Sequence, residues 1–323
     1  MVNSFQTLIG QPQAVALLTA AIAQNRIAPA YLLTGPEGVG KSLAARALGE
    51  ALLMGHLSPQ QQGQMRQRFF VGNHPDLLWI EPRYQHQGKL LSSEEAEKMG
   101  IKRRSPPLIR IEQIRQIHEF LSHPPLQAPR AVIVIQDSHS LNEGAANALL
   151  KTLEEPGRAT LILLAPSVDS LLPTLVSRCQ RIPFYRLSNQ DLTQVLQSLG
   201  RPEILQDPEV VVMAQGSPGT AILTWERLQT LPENLRLALV QKIATPLEAL
   251  TLAKNIEGNL DTEQQLWLVD YLQTVYWRQH QQTPLLKVLE KTRRALLAYV
   301  QPRLVWEDTL LQIHRVYENP LSG

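Results

Sequence analysis

The chain has 323 residues, of which 44% are hydrophobic and 19% charged. A globular chain of this length exceeds one ordinary core, so we expect two or three domains. Its 31 basic and 29 acidic residues leave a net charge of +2, which is too balanced to predict nucleic-acid binding from charge alone. The single cysteine, Cys179, excludes an intramolecular disulfide and a multi-cysteine zinc site.

No run of about 18 uncharged apolar residues occurs, which argues against a membrane span. Residues 1–5 (MVNSF) lack the basic and apolar segments of a secretory signal. The sequence therefore predicts a cytoplasmic protein. His56 and His74 each stand alone in the sequence, and we interpret both as ordinary polar residues.

Strands and helices are predicted to alternate over the first half of the chain. An apolar period of 3.6 residues indicates the helices, and short apolar or β-branched runs indicate the strands. In chain order we predict a helix at 12–25, a strand at 31–33, a helix at 42–54, a strand at 77–80, a helix at 111–122, a strand at 131–135, a helix at 143–155 and strands at 161–164 and 181–184. This alternation implies a parallel α/β sheet with right-handed crossovers over roughly residues 1–187.

A phosphate-binding motif follows the first of these strands. Residues 35–42 (GPEGVGKS) fit the pattern G-x-x-x-x-G-K-[ST] without a mismatch, and a predicted helix follows. The glycines let the backbone turn its N–H groups inward, and the helix N-terminus adds its positive dipole end. Lys41 would reach the β- and γ-phosphates and the Ser42 hydroxyl would ligate Mg²⁺.

We therefore predict that this turn binds a nucleoside triphosphate. Gly-rich turns between a strand and a helix also occur without a ligand, and that is the alternative. The predicted binding residues are Gly35, Pro36, Glu37, Gly38, Val39, Gly40, Lys41 and Ser42.

Residues 82–107 lose the apolar period and are rich in polar side chains, so we predict a mobile loop. This loop carries a basic cluster of Lys102, Arg103 and Arg104. Such a cluster can contact phosphate groups, including those of DNA, but a solvated surface cluster is the interpretation we favour.

The end of the strand at 131–135 is predicted to form the second half of the nucleotide site. Asp137 supplies a carboxylate for the metal, whereas Ser138 stands where hydrolysing AAA+ proteins carry a glutamate that activates water. A serine hydroxyl does not accept a proton as a carboxylate does, and a general base contributes about 10²–10⁴ in rate. The site is therefore predicted to bind more than to hydrolyse, unless Glu143 or another carboxylate replaces the base.

The β signal fades after Ser188. Residues 189–230 predict a small helical unit, and residues 233–315 predict further helices. Apolar residues between Trp267 and Tyr276 recur at helical spacing, which indicates a stripe that faces either the core or a partner.

The segment 147–156 (NALLKTLEEP), followed by 177–179 (SRC), resembles the clamp-loader branch of the AAA+ ATPases. In that family the arginine of the second motif contacts the γ-phosphate bound to a neighbouring subunit, as an arginine finger. The resemblance implies this role for Arg178, since a guanidinium stays charged and presents a planar fork of donors to phosphate. An intramolecular ion pair at a strand edge is the alternative interpretation of Arg178.

Within that branch the sequence is similar to the delta-prime subunits of bacterial DNA polymerase III, over nearly the full chain and most densely over residues 5–187. The similarity rests on 73–76 (NHPD), 111–115 (IEQIR) and 216–219 (GSPG). Motor subunits of the loader carry an arginine just after the corresponding Gly-Ser, whereas this chain has Pro218 and Gly219. The missing base and the missing arginine both imply that its own ATPase activity is weak or absent.

The resemblance also implies an architecture. We expect an AAA+ α/β domain with a P-loop parallel sheet over residues 1–187, a small helical lid domain over 188–231 and an all-α collar domain for oligomerisation over 232–323. Many relatives carry a four-cysteine zinc module corresponding to about residues 55–72, but this chain has no cysteine there, so zinc is not expected. The intact phosphate loop, which many delta-prime subunits have lost, leaves nucleotide binding open.

The ligands implied are ATP and Mg²⁺, with the metal held by Ser42 and Asp137. The implied partners are the motor ATPase and clamp-opening subunits of a hetero-pentamer, primed DNA within that complex and, indirectly, the sliding clamp. Our leading hypothesis is a non-polymerising loader subunit that donates Arg178 to a neighbour's ATP. The alternatives are an autonomous DNA-stimulated AAA+ ATPase, either a motor-type subunit or a repair remodeller, and a nucleotide-gated assembly scaffold without a role in hydrolysis.

Overall fold

The structure is a computed structural model that describes residues 5–70, 72–99 and 106–318. These residues form two compact units. The first unit contains the described residues of the ranges 1–97, 107–200 and 216–219, and the second unit contains those of 98–106, 201–215 and 220–323.

The first unit alternates strands and helices, as predicted. Its strands are β1 (Ala30–Thr34), β2 (Leu77–Ile80), β3 (Tyr84–His86), β4 (Lys89–Leu91), β5 (Ala131–Ile135), β6 (Ala159–Ala165) and β7 (Gln180–Pro183). Its helices are α1 (Pro12–Ala23), α2 (Lys41–Met54), α3 (Pro59–Phe70), α4 (Ser93–Lys98, which ends at the start of the second unit), α5 (Ile111–Leu121), α6 (Glu143–Glu154), α7 (Pro173–Val176) and α8 (Asn189–Ser198).

Five strands form one parallel sheet in the order β2-β5-β6-β1-β7. In this register Leu33 of β1 lies beside Leu164 of β6 and Ile182 of β7. Every residue of β1, β5 and β6 is buried, as expected for strands with helices on both faces. The predicted parallel α/β sheet is therefore confirmed.

Successive residues of these strands face opposite sides of the sheet and enter two separate cores. Leu33 and Ile162 pack with Leu48 of α2 in one core. Leu32 and Ile133 pack on the other face with residues of α5 and α6. Because the parallel strands all end at the same edge, the residues after β1 and after β5 are brought to one side of the sheet.

The prediction of a loop over residues 82–107 is wrong for most of its described part. Residues 84–91 form the antiparallel hairpin of β3 and β4, and α4 follows directly. Strands of three residues and a helix of six are too short to generate a period that can be read from sequence. Lys102, Arg103 and Arg104 lie outside the described residues.

Helix α3 was also not predicted. Its sequence (PQQQGQMRQRFF) has no apolar stripe, although glutamine and arginine favour helix formation. Phe69 near its end is 1% exposed and joins the core under β1 and β5. One buried residue near the end of a mostly polar segment is too weak a signal to distinguish the helix from a polar loop.

The second unit is helical, as predicted. It contains a short 3₁₀ helix at Pro202–Gln206 and the helices α9 (Pro208–Ala214), α10 (Pro218–Thr230, whose first two residues belong to the first unit), α11 (Glu233–Val240), α12 (Pro246–Asn259), α13 (Thr262–His280), α14 (Thr283–Leu297) and α15 (Pro302–Glu318). The apolar stripe of α13 faces the core, since Leu268, Leu272 and Tyr276 are at most 1% exposed. The division into three domains at residues 187 and 231 stays a prediction.

Helix length and hydropathy bear on membrane insertion. Among the helices that the structure describes, none is long and apolar enough to cross a lipid bilayer.

Candidate nucleotide-binding site

The predicted phosphate loop connects β1 to α2. Gly35, Gly38 and Gly40 have φ angles of +153°, +70° and +106°, a region that favours glycine. At Gly35 a steric clash also excludes any residue with a side chain, because a Cβ there would stand 2.3 Å from the carbonyl oxygen of Phe184. The three glycines are therefore needed for the path of the backbone.

Lys41 is the first residue of α2 and is only 9% exposed. Its ammonium donates hydrogen bonds to the carbonyl oxygens of Gly35 at 2.5 Å and Pro36 at 2.6 Å. Burial lowers the pKa of Lys41, whereas the carboxylates of Glu37 and, to a smaller extent, Asp137 act to raise it. A cation held within a glycine-rich turn at a helix N-terminus is suited to contact phosphate.

Asp137 lies directly after β5 and adopts a left-handed backbone with φ +48°, at the start of a short 3₁₀ helix over Ser138–Ser140. Its carboxylate acts to raise the pKa of Lys41. The structure thus brings Asp137 and the phosphate loop to the same edge of the sheet. Ser42, the second residue of α2, is half-buried.

Ser138 is fully buried, and its hydroxyl donates a 2.8 Å hydrogen bond to the carbonyl oxygen of Leu164 on β6. A hydroxyl so engaged supports the backbone of the neighbouring strand and supplies no proton acceptor comparable to a carboxylate. Glu143, named above as a possible substitute, is exposed at the first residue of α6.

A series of side-chain contacts links α2 to the end of β5. The guanidinium of Arg46 stacks over the ring of Trp79 at 4.5 Å, a favourable cation–π distance. The indole nitrogen of Trp79 donates to Gln136 at 3.2 Å, the residue just before Asp137. These contacts tie the helix of the phosphate loop to the segment that carries Asp137.

Arg178 lies in the turn between α7 and β7, and its side chain is 36% exposed. The guanidinium donates to the Glu154 carboxylate at 2.7 Å and to the Thr174 carbonyl oxygen at 3.0 Å. This is the intramolecular ion pair named above as an alternative, and it leaves the arginine at the surface. The neighbouring Cys179 is half-buried, and burial raises the pKa of its thiol to about 11.

Sequence reasoning missed three groups that bind the outside of the phosphate loop. The Gln11 amide donates to the carbonyl oxygen of Val39 at 3.2 Å, and the Ser217 hydroxyl donates to that of Glu37 at 2.7 Å. The backbone N–H of Gly219 donates to the carbonyl oxygen of Gly38 at 3.0 Å. These contacts join distant parts of the chain, so no local pattern signals them.

A complete phosphate loop after β1, which lies between β6 and β7 in a five-stranded parallel sheet, with an aspartate at the end of β5, defines a protein of the P-loop class. Residues 10–188 match the family model described as DNA polymerase III, delta subunit. Residues 190–313 match the model described as cyanobacterial DNA polymerase III delta prime, C-terminal domain. The chain belongs to the DNA polymerase III delta-prime family.

Two curated relatives illustrate the similarity. DNA polymerase III subunit delta' of Bacillus subtilis is 32% identical over 180 residues, which cover 55% of this chain and 48% of that protein. DNA polymerase III subunit tau of the same organism is 29% identical over 217 residues, which cover 66% of this chain and 33% of that protein. The matched part of the chain thus spans between a third and half of the length of these relatives.

A solved structure supports the fold. The DNA polymerase III gamma subunit-related protein from Thermotoga maritima superposes with a TM-score of 0.53 at 19% identity, covering 94% of this chain and 99% of that one. At this identity the likeness shows the fold alone.

Proposed function

We propose that this protein is a clamp-loader subunit of the bacterial replicative DNA polymerase III holoenzyme and helps to load the sliding clamp onto primed DNA. In this proposal it binds ATP with Mg²⁺, hydrolyses it poorly and acts on the ATP of a neighbouring subunit. The observation that carries the proposal is the combination of a complete phosphate loop with a buried serine at the end of β5.

The loop supports the ATP-binding part. Lys41 is positioned as a buried cation within the turn, and three glycines give the turn its path. Ser42 and Asp137 would hold Mg²⁺ through its contacts with the nucleotide, since hydroxyl and carboxylate oxygens suit that ion. The magnesium would neutralise phosphate charge and orient the γ-phosphate.

Ser138 supports poor hydrolysis. Its hydroxyl is fully buried and committed to the Leu164 carbonyl, so the strand end offers Asp137 as its one carboxylate. Pro218 and Gly219 add a second argument, because the start of α10 lies against the loop without a cationic side chain. Because the site lacks a general base after Asp137 and a cationic side chain at the start of α10, it would bind ATP and hydrolyse it slowly.

Arg178 supports action on a partner. It is exposed, close to the sheet edge and charged, and its ion pair with an exposed glutamate is weak enough to exchange for a phosphate. The proposed partners are the motor and clamp-opening subunits of a hetero-pentamer, in which the helical second unit would serve as the collar. Primed DNA would be contacted within that complex, and the sliding clamp indirectly.

The test is to measure binding of a fluorescent ATP analogue with Mg²⁺ to the purified chain, beside a sensitive ATPase assay with and without primed DNA. We expect binding with negligible turnover. Lys41→Ala should abolish binding, and Lys254→Ala, which removes an exposed lysine of α12, should leave it unchanged. Turnover of about 1 s⁻¹, an ordinary enzymatic rate, would instead favour an autonomous ATPase.

A further inference from the structure

Three successive carbonyl groups of the phosphate loop are held from outside. The carbonyl oxygen of Glu37 accepts from the Ser217 hydroxyl, that of Gly38 from the Gly219 N–H and that of Val39 from the Gln11 amide. We call these three donors the outer frame. Together they fix three neighbouring peptide groups of one short turn.

Once these carbonyl groups are fixed, peptide geometry also fixes the direction of the N–H groups that follow them. In a trans peptide the C=O and the following N–H lie in one plane and point in opposite directions, and the chain contains no cis peptide among its described residues. The N–H groups of Gly38, Val39 and Gly40 therefore point away from the outer frame. Within the described residues none of these three N–H groups has a hydrogen-bond acceptor.

The frame is rigid because its side chains are buried. Gln11 is 2% exposed and Ser217 is 1% exposed. Gln11 is fixed further by a second pair of bonds, since its amide donates to the Tyr185 carbonyl at 2.6 Å and its oxygen accepts from the Tyr185 N–H at 3.1 Å. A buried amide with three hydrogen bonds has little freedom to turn.

We infer that Gln11 and Ser217 are positioning residues for the phosphates of a bound nucleoside triphosphate: together with the Gly219 N–H, and from outside the loop, they aim three backbone N–H groups at the ligand. The inference rests on the proposed function, in which the loop binds ATP. The frame supplies in advance the peptide orientation that a flexible glycine turn would otherwise adopt only on binding. Preorganisation of this kind raises affinity by lowering the ordering cost.

The frame also gives the segment 216–219 a role in the site. Here it contacts the loop through the Ser217 hydroxyl and the Gly219 backbone. The segment thus reaches the nucleotide through the loop's own peptide groups.

The experiment measures the dissociation constant of a fluorescent ATP analogue with Mg²⁺ for the full chain and five variants. Ser217→Ala removes one donor and Gln11→Met removes another, and we expect each to weaken binding about three- to tenfold, the usual range for one hydrogen bond. Ser217→Thr keeps the hydroxyl and should bind within about twofold of the natural chain. Melting temperature without nucleotide is recorded for every variant, because it reports a purely structural effect.

Gln113→Met is the matched control. Gln113 is also a buried glutamine, at 3% exposure, and also binds backbone, donating to the Glu81 carbonyl at 2.8 Å and accepting from the Arg110 N–H at 3.2 Å. Its bonds do not involve the phosphate loop. We expect it to lower the melting temperature as Gln11→Met does and to leave nucleotide affinity unchanged.

Two failures are distinguishable. Natural affinity in both Gln11→Met and Ser217→Ala, with binding lost in Lys41→Ala, would overturn the outer frame and leave the ATP-binding proposal intact. The outer frame would also be overturned if Gln113→Met or Ser217→Thr lost as much nucleotide affinity as Gln11→Met and Ser217→Ala. Unchanged binding in Lys41→Ala would refute the nucleotide site itself.

Discussion

Arg178 is held in the isolated chain by partners that are easily exchanged. Its ion pair joins side chains that are 36% and 53% exposed, and such surface pairs contribute about 0–1 kcal/mol. We therefore predict that Arg178→Ala changes the melting temperature very little. In a loader reconstituted with its partner subunits, the same variant should lower DNA-stimulated ATP hydrolysis.

A trans arginine contributes about 10³–10⁵ at the site where it acts, and hydrolysis at other subunits would dilute the observed loss. Arg181→Ala, which removes an exposed arginine of β7, is the charge-matched control and should retain full activity. Glu154→Gln frees the guanidinium and should not lower activity. If a loader reconstituted with Arg178→Ala hydrolyses ATP at the normal rate, Arg178 does not act as an arginine finger.

His74 makes the stability of the first unit depend on pH. It is 3% exposed, its Nδ1 accepts from the Asp76 N–H at 3.1 Å, and burial lowers its pKa. The unfolded chain binds the proton near pH 6.5, whereas burial disfavours it in the folded chain. The contribution of His74 to stability is therefore fully present above about pH 6.5 and is lost as the pH falls below that value. One such group contributes at most about 1.4 kcal/mol per pH unit.

Urea unfolding at pH 7.5 and at pH 5.5 measures this effect. His74→Gln should lose part of the difference between the two pH values. His123→Gln, at an exposed histidine, should retain all of it. A full difference in His74→Gln would assign the acid sensitivity to other groups.

Helix α10 begins in direct contact with the phosphate loop. A Cβ at Gly219 would stand 2.6 Å from the Cα of Gly38, and because that Cα belongs to the backbone it cannot move aside cheaply. We predict that Gly219→Ala lowers both the melting temperature and nucleotide affinity. Gly258→Ala in α12, where nothing lies within 4 Å of the new Cβ, should instead raise stability by up to about 1 kcal/mol.

The elements that could be predicted are those with a strong local signal. The fully buried runs of β1, β5 and β6 and the glycine pattern at 35–42 are encoded by neighbouring residues. The hairpin of β3 and β4 was missed because its strands have three residues each. Helix α3 was missed because its sequence is mostly polar and its apolar residues lie only in its second half.

The candidate site was predictable in its residues and only partly in its arrangement. Gly35 to Ser42 and Asp137 were identified from the motif and from a strand end. The donors Gln11 and Ser217 were not, because each bonds to a residue far away in the sequence. The motif at 216–219 was recognised, but the motif alone does not indicate that Ser217 contacts the phosphate loop. Burial of Ser138 against β6 likewise depends on the register of the sheet.

At the scale of the whole molecule, the proposed nucleotide site lies in the first unit alone. A ligand that binds only the folded state stabilises it by about 2.7 kcal/mol at a hundredfold excess over its dissociation constant. We predict that ATP with Mg²⁺ slows amide hydrogen exchange in β1 and α2 more than in α12 and α15 of the second unit. Exchange followed by mass spectrometry resolves these segments.

Lys41→Ala should remove the ATP-dependent slowing of hydrogen exchange, which would show that the slowing depends on the phosphate loop. The indole of Trp306 gives an internal reference in the second unit, since it is fully buried and donates to Gln265 at 2.9 Å. Trp306→Phe should speed exchange in α13 and α15 and leave the ATP-dependent slowing in β1 in place. Equal slowing in both units on adding ATP would contradict a site confined to the first.

The half-buried thiol of Cys179, beside Arg178, has a practical consequence for fluorescence experiments. With a pKa of about 11, Cys179 carries a thiolate fraction of about 10⁻⁴ at pH 7, and maleimide reagents react with the thiolate. A cysteine introduced at an exposed position would therefore take up a dye selectively while the native residue stays in place. Single-molecule measurements on this chain can then proceed without altering the turn that holds Arg178.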